Sequence, residues 1–204
     1  VKTMADTPQA RWEMQLLGRL DHPNIVAFYD VIIHKGQIHL VMELASGGTV
    51  RQKRLTVDEL VQIGLEAAGA LQYLHELGFI HGDLKPSHLV FDNQGRVKLV
   101  DWGSSTTIGG PNMGGTLEYM APEQAHCERS RSSLGDPRMD VYGLGKALIN
   151  LARENKLRLP KELGDVLKRA TSSSIQSRFQ SMDEFAEHLE YVPNSNTRSS
   201  PSFI

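Results

Sequence analysis

Asp83 and Asp101 each stand at the edge of an apolar run in the stretch IHGDLKPSHLVFDNQGRVKLVDWGSS, with Lys85 two residues and His88 five residues after the first. A carboxylate at the end of a buried strand lies at the rim of a core, facing a cleft. On adjacent strands of a hairpin, two such groups can approach one reaction centre, one accepting a proton and the other holding a hard cation. An ammonium from Lys85 can then meet a developing negative charge between them. These are the parts of phosphoryl transfer, in which positioning and charge neutralisation supply most of the catalysis. A solvated hairpin with two capping aspartates uses the same residues, so the spacing by itself leaves both readings standing.

The elements that must position these groups follow from pattern and punctuation. Thr7 caps a helix predicted over 8–20, with Pro8 in its first turn and Trp12, Leu16 and Leu20 on one face; His22-Pro23 stops it. The β-prone runs IVAFYDVII and QIHLVMEL, joined by HKG, predict a hairpin. Ser46-Gly47-Gly48 marks a lobe boundary. Thr56 and Glu59 form a capping box opening a helix that carries Leu60, Ile63, Ala67, Leu71 and Leu74 and ends at Gly78. HLVF and RVKLV are short strands about the turn DNQG, and Gly, Ser and Thr predict a loop from Trp102 to Glu118. Further helices are predicted from Asp140 to Arg153, from Pro160, and from the Ser181 cap to Tyr191.

Composition narrows the class. With 40% hydrophobic and 23% charged residues, the 204-residue chain has enough apolar material for a sizeable core. A net charge of −2 gives no electrostatic case for nucleic acid or an acidic membrane. No apolar run approaches the ~20 residues of a spanning helix, and no signal peptide opens the chain. The one cysteine, Cys127, has no internal disulfide partner. The expectation is a cytoplasmic protein with no nucleic-acid partner and no direct membrane insertion.

HGDLKP, DWG, GTLEYMAPEQ and DVYGLG, in that order, resemble the signature series of the protein kinases. Each motif alone is weak, but four in sequence are specific, and the likeness runs from Val1 to Tyr191. Lys85 and the GT before YMAPE resemble the serine/threonine branch, particularly bacterial eukaryotic-like kinases. The resemblance implies an α+β, bilobal kinase-like fold: a reduced, β-rich small lobe over 1–45, a mostly α-helical large lobe over 46–192, and a flexible tail over 193–204. It also implies ATP with Mg²⁺ or Mn²⁺ as cofactors and a protein substrate that receives the γ-phosphate on Ser or Thr.

Carried over residue by residue, the resemblance makes Asp83 the base that orients the acceptor hydroxyl and Lys85 the group that neutralises the transferring phosphoryl. Asp101 would hold a metal, with His88 at the second metal position. Lys2 would pair with Glu13, the alternative for either residue being a surface salt bridge. Met42 would be the gatekeeper, with the backbone of Glu43 and Ala45 facing adenine and Val90 a further nucleotide contact. Among architectural matches, Glu123 would pair with Arg178, and Asp140 would anchor the catalytic loop. Leu17, Phe28, His81 and Trp102 would stack as a spine, making His81 a packing residue rather than a base. Thr116 could hydrogen-bond Asp83 and Lys85.

Four departures from that pattern matter. His88 stands where the family has an asparagine, and Mg²⁺ prefers oxygen donors. Gly82 replaces the arginine that in the family receives an activation-loop phosphate. No glycine-rich loop precedes VKTM, so the strands that cover ATP are either missing or supplied by sequence outside this chain. The segments after Gly48 and from Leu151 to Pro160 are short. Three functions therefore stay open: an ATP-dependent protein kinase, a pseudokinase serving as a nucleotide-binding or regulatory module with a protein partner, and a small-molecule phosphotransferase. HGDL and DW echo the third, but GTLEYMAPEQ and DVYGLG have no counterpart there.

Overall fold

The computed structural model describes residues 1–126 and 134–191. Cys127 and the predicted tail over 193–204 lie outside the described residues. An antiparallel sheet in the order β1-β3-β2 is built from β1 (Lys2–Ala5), β2 (Phe28–His34) and β3 (Gln37–Met42). The central strand carries the fully buried Ile38 and Leu40, and Leu40 lies opposite both Lys2 and Val31. Lys35 and Gly36 take φ of 48° and 72°, the paired positive values of a two-residue hairpin turn whose twist matches its strands.

Helix α1 (Pro8–Leu17) begins as predicted, the Thr7 hydroxyl accepting from the Ala10 amide, but it stops at Gly18 rather than Leu20. The segment after it turns toward the other lobe. Ile25 bridges Leu99 and the Val26 amide donates to the Leu99 carbonyl, so β2 starts only at Phe28. Backbone groups that pattern assigns to one strand are thus spent between the lobes.

The large lobe is organised on α2 (Val57–Glu76), whose Thr56–Glu59 capping box forms as expected. It packs against α4 (Pro137–Glu154) and α6 (Met182–Glu190), with α5 (Lys161–Ala170) alongside α4. A Cβ at Gly64 would lie 3.0 Å from a Leu148 methyl and 3.1 Å from a Leu189 methyl, so a bare backbone lets the three helices meet. Helix α4 starts a turn before the predicted Asp140 because Asp136 caps it and Pro137 fits its first turn. Ser181, whose hydroxyl accepts from the Glu184 amide, caps α6 as predicted.

Three short features complete the large lobe. Strand β4 (Phe79–Ile80) pairs with β7 (Thr106–Thr107), inside the stretch predicted as loop, and β5 (Leu89–Phe91) pairs with β6 (Val97–Leu99). Helix α3 (Pro122–His126) closes the Gly-rich segment. One apolar cluster runs through both lobes, from Leu17 and Leu40 through Leu99 and Trp102 to Leu144 and Phe185. This is a bilobal α+β fold with a small three-stranded lobe. Among the described residues no helix is long and apolar enough to cross a membrane.

Candidate active site

The loop after β4 is held from below. Both oxygens of the fully buried Asp140 carboxylate accept backbone amides, from His81 at 2.8 Å and Gly82 at 2.9 Å, and His75 Nε2 lies 2.8 Å away. His81 has no exposed surface and packs its ring 5.1 Å from that of Trp102 and 5.7 Å from that of His88. Gly82 takes φ of 78°, and a Cβ there would meet the Ser104 carbonyl oxygen at 2.8 Å. The bend is therefore one that a side chain would strain.

That bend presents Asp83 on a loop rather than on the hairpin itself. One carboxylate oxygen accepts the Thr116 amide at 2.6 Å, and the other accepts from Lys85 Nζ at 2.8 Å. Lys85 also donates to the Thr116 hydroxyl at 2.8 Å. Burial opposes the charge on Asp83, but the bonds from Lys85 and Thr116 outweigh it and hold the carboxyl below its ordinary range. Asp83 is consequently ionised at neutral pH and has lone pairs left to orient a hydroxyl.

Asp101 follows β6 with φ of 69°, uncommon for a residue with a side chain. Its Oδ1 accepts from Lys2 Nζ at 3.0 Å, and Lys2 reaches Glu13 Oε1 at 2.6 Å. Burial works against the Lys2 ammonium, yet Glu13 and Asp101 raise its pKa overall. Burial likewise opposes the Asp101 charge, and Lys2 and His88 reverse the balance to lower its pKa. His88 Nε2 stands 3.4 Å from Asp101 Oδ2. Burial first and the neighbouring His81 second lower the His88 pKa to about 4, so the ring is neutral near pH 7. Its Nδ1 is buried and finds no hydrogen-bond partner among the described residues.

A cleft of about 360 Å³ opens between the lobes, lined by Lys2, Glu13, Met42, Glu43, Ala45, Val90 and Asp101 together with Val26, Val100 and Trp102. Its middle is apolar and one end is charged, a shape suited to a flat base with an anionic tail. Asp83, Lys85 and His88 do not line the cleft itself. His88 connects the two groups, since it lies within electrostatic reach of Lys85 and Asp83 as well as Asp101. For a divalent cation, the available donors are the Asp101 carboxylate and a neutral imidazole, a mixed oxygen–nitrogen set that fits Mn²⁺ better than Mg²⁺.

Several positioning contacts escaped sequence reasoning. Glu43 folds its carboxylate back onto the Ala27 amide at 3.1 Å and onto the buried Lys98 ammonium at 2.8 Å, fixing the inter-lobe strand end from behind. Trp12 Nε1 donates to the Ser105 carbonyl at 2.8 Å, and Gln9 to the Gly103 carbonyl, so α1 is tied to the segment after Asp101. The sole local hint was a lysine inside a strand whose three residues are all buried. Arg178 and Glu123, paired in the sequence reading, lie 2.7 Å apart through both guanidinium nitrogens.

Residues 1–200 match the protein kinase domain family. The chain is 34% identical over 69% of its length to the serine/threonine-protein kinase PrkC of Bacillus subtilis, covering 23% of that protein. It is 30% identical over 71% of its length to the serine/threonine-protein kinase SSK22 of Saccharomyces cerevisiae, covering 13% of it. With the probable serine/threonine-protein kinase PknB of Lactococcus lactis it shares 29% identity over 82% of its length and 32% of the relative. The chain belongs to the protein kinase family. It spans between 13% and 32% of the length of these three relatives.

Proposed function

We propose that this chain is the catalytic part of an ATP-dependent protein serine/threonine kinase. The observation that carries the reading is the chain of charges Glu13–Lys2–Asp101 at one end of an apolar cleft, with links of 2.6 and 3.0 Å. Lys2 would hold the nucleotide's phosphates, and Glu13 would hold Lys2 in place. Met42, Glu43, Ala45 and Val90 would take the base. Asp101 with His88 would hold the divalent cation, which when bound neutralises charge on the phosphates. Asp83, ionised and fixed by Thr116, would orient a Ser or Thr hydroxyl of a protein substrate, and Lys85 would offset the charge that develops on transfer.

Close likeness to serine/threonine-protein kinases favours a polypeptide substrate over a small molecule. One observation favours a second reading, a pseudokinase that binds nucleotide or a regulatory partner without transfer: His88 stands 3.4 Å from Asp101, a nitrogen donor beside a hard-cation ligand. Nucleotide binding and phosphate transfer, each measured with Mg²⁺ and with Mn²⁺, separate the two. Transfer by the native chain that is lost in both Asp83→Asn and Asp101→Ala is the expected result; binding without transfer under either metal would establish the second reading instead.

A further inference from the structure

Gln124, in α3, is 2% exposed, and its side-chain amide is aimed at two backbone carbonyls that belong to different segments. Its Nε2 donates to the Gly82 oxygen at 2.6 Å and to the Gly114 oxygen at 3.1 Å. The Gly114 amide in turn donates to Asn112 Oδ1 at 3.0 Å, and Asn112 Nδ2 donates to the Gln124 carbonyl at 3.2 Å. The bonds close a ring of neutral amides around Gly114. We propose that Gln124 is a positioning residue that clasps the segment before α3 to the catalytic loop, so that this segment holds its shape without an added phosphate. The inference rests on the kinase reading for what the shape is used for, but the clasp itself is independent of it.

Close approach is built into the sequence at this point. A Cβ on Gly115 would lie 2.9 Å from the Gly82 oxygen and 3.2 Å from Asp83 Oδ1, so only glycine lets the two loops touch. The next residue is Thr116, whose amide and hydroxyl meet Asp83 and Lys85. Gln124 therefore fixes the strand of chain that delivers the Thr116 amide to Asp83. The space enclosed by Gly82, Thr116, Tyr119, Met120 and Gln124 is too narrow for a water molecule, so solvent cannot replace the donor lost to the Gly82 carbonyl. The other end of the segment is held by backbone bonds, from the Gly109 amide to the Gly135 carbonyl and from the Gly135 amide to the Gly110 carbonyl. None of these contacts uses a charge that a phosphate would have to supply.

The test is amide hydrogen exchange over residues 112–116 in the full chain, comparing the native protein with Gln124→Met and Gln124→Glu, which keep the side chain's length without its donors. Exchange there should accelerate about tenfold or more, with α2 and α4 unchanged. In transfer assays the KM for a peptide substrate should rise while nucleotide affinity stays constant. Native protein freed of phosphate by a phosphatase, checked by mass, should keep its full protection. Unchanged exchange in both variants, or protection lost on phosphatase treatment, would overturn the proposal. Should the Gln124 variants fail to fold, Asn112→Ala opens the same ring from its half-buried side, and unchanged exchange over 113–116 would equally overturn it. A native chain that transfers no phosphate would count against the kinase reading alone, because exchange is read without turnover.

Discussion

Lys2 Nζ lies 2.6 Å from Glu13 Oε1, joining the edge strand of the small sheet to the buried face of α1. Glu13 is 4% exposed, so its carboxylate is committed to this partner rather than to solvent. Replacing Lys2 by Met should lower phosphate transfer by about a hundredfold and also lower the melting temperature, since it leaves the buried Glu13 carboxylate without its ammonium partner. Glu13→Gln should cost less, because the amide oxygen still accepts from Lys2. Rates and nucleotide affinities of the two single variants and the double variant give the coupling, and additive effects would show that the pair does not act as a unit.

The His88 imidazole beside Asp101 predicts the metal preference. Native protein should work better with Mn²⁺ than with Mg²⁺, and His88→Asn, which restores an oxygen donor, should reverse that order by about tenfold. Initial rates with each metal, together with calorimetric titration of metal and nucleotide, make the check. Equal ratios in both proteins would remove His88 from the metal site.

Asp140 sets an acid limit on the fold. Burial alone would raise its pKa, but the hydrogen bond and charge of His75, the charge of His81 and the Gly82 amide lower it below the usual 3.8. The native state then binds fewer protons than the unfolded chain as pH falls past that value. The stability this group contributes is complete above about pH 5 and is lost as pH drops through the native pKa. Asp140→Asn should cost about 2–4 kcal/mol at neutral pH, because an amide cannot accept from both the His81 and Gly82 backbones, and should flatten the acid limb of the denaturation curve. Urea unfolding from pH 3 to pH 7 measures both.

Arg178 should resist conservative replacement. It has no exposed surface, meets Glu123 through two nitrogens at 2.7 Å, and also donates to the Ser172 and Arg138 carbonyls. A lysine offers one point charge in place of that planar fork. Arg178→Lys and Arg178→Met should both destabilise the large lobe by about 3 kcal/mol, visible as a lower thermal midpoint; full stability in the lysine variant would contradict a geometric role.

Much of the scaffold was legible because its signals are local. Thr7, the Thr56–Glu59 pair and Ser181 each cap the helix they announce, and Lys35-Gly36 makes the hairpin turn. Errors fell at element ends. Helix α1 stopped short, β2 began late, and β7 emerged from a stretch read as loop, in each case because the deciding hydrogen bonds run to distant segments. Local pattern records which face is apolar and leaves open which partner covers it.

Residue types and their order fixed the membership of this chain in its family, and they marked Asp83, Lys85, Asp101 and His88 as the candidates for its chemistry. Only the tertiary structure decided the partners across 55 residues for Lys98 and Glu43, 93 for Trp12 and Ser105, and 42 for Gln124 and Gly82. A side chain's chemistry travels with it in the sequence, whereas a hydrogen bond requires two groups within about 3 Å, and that proximity exists only once the core has closed.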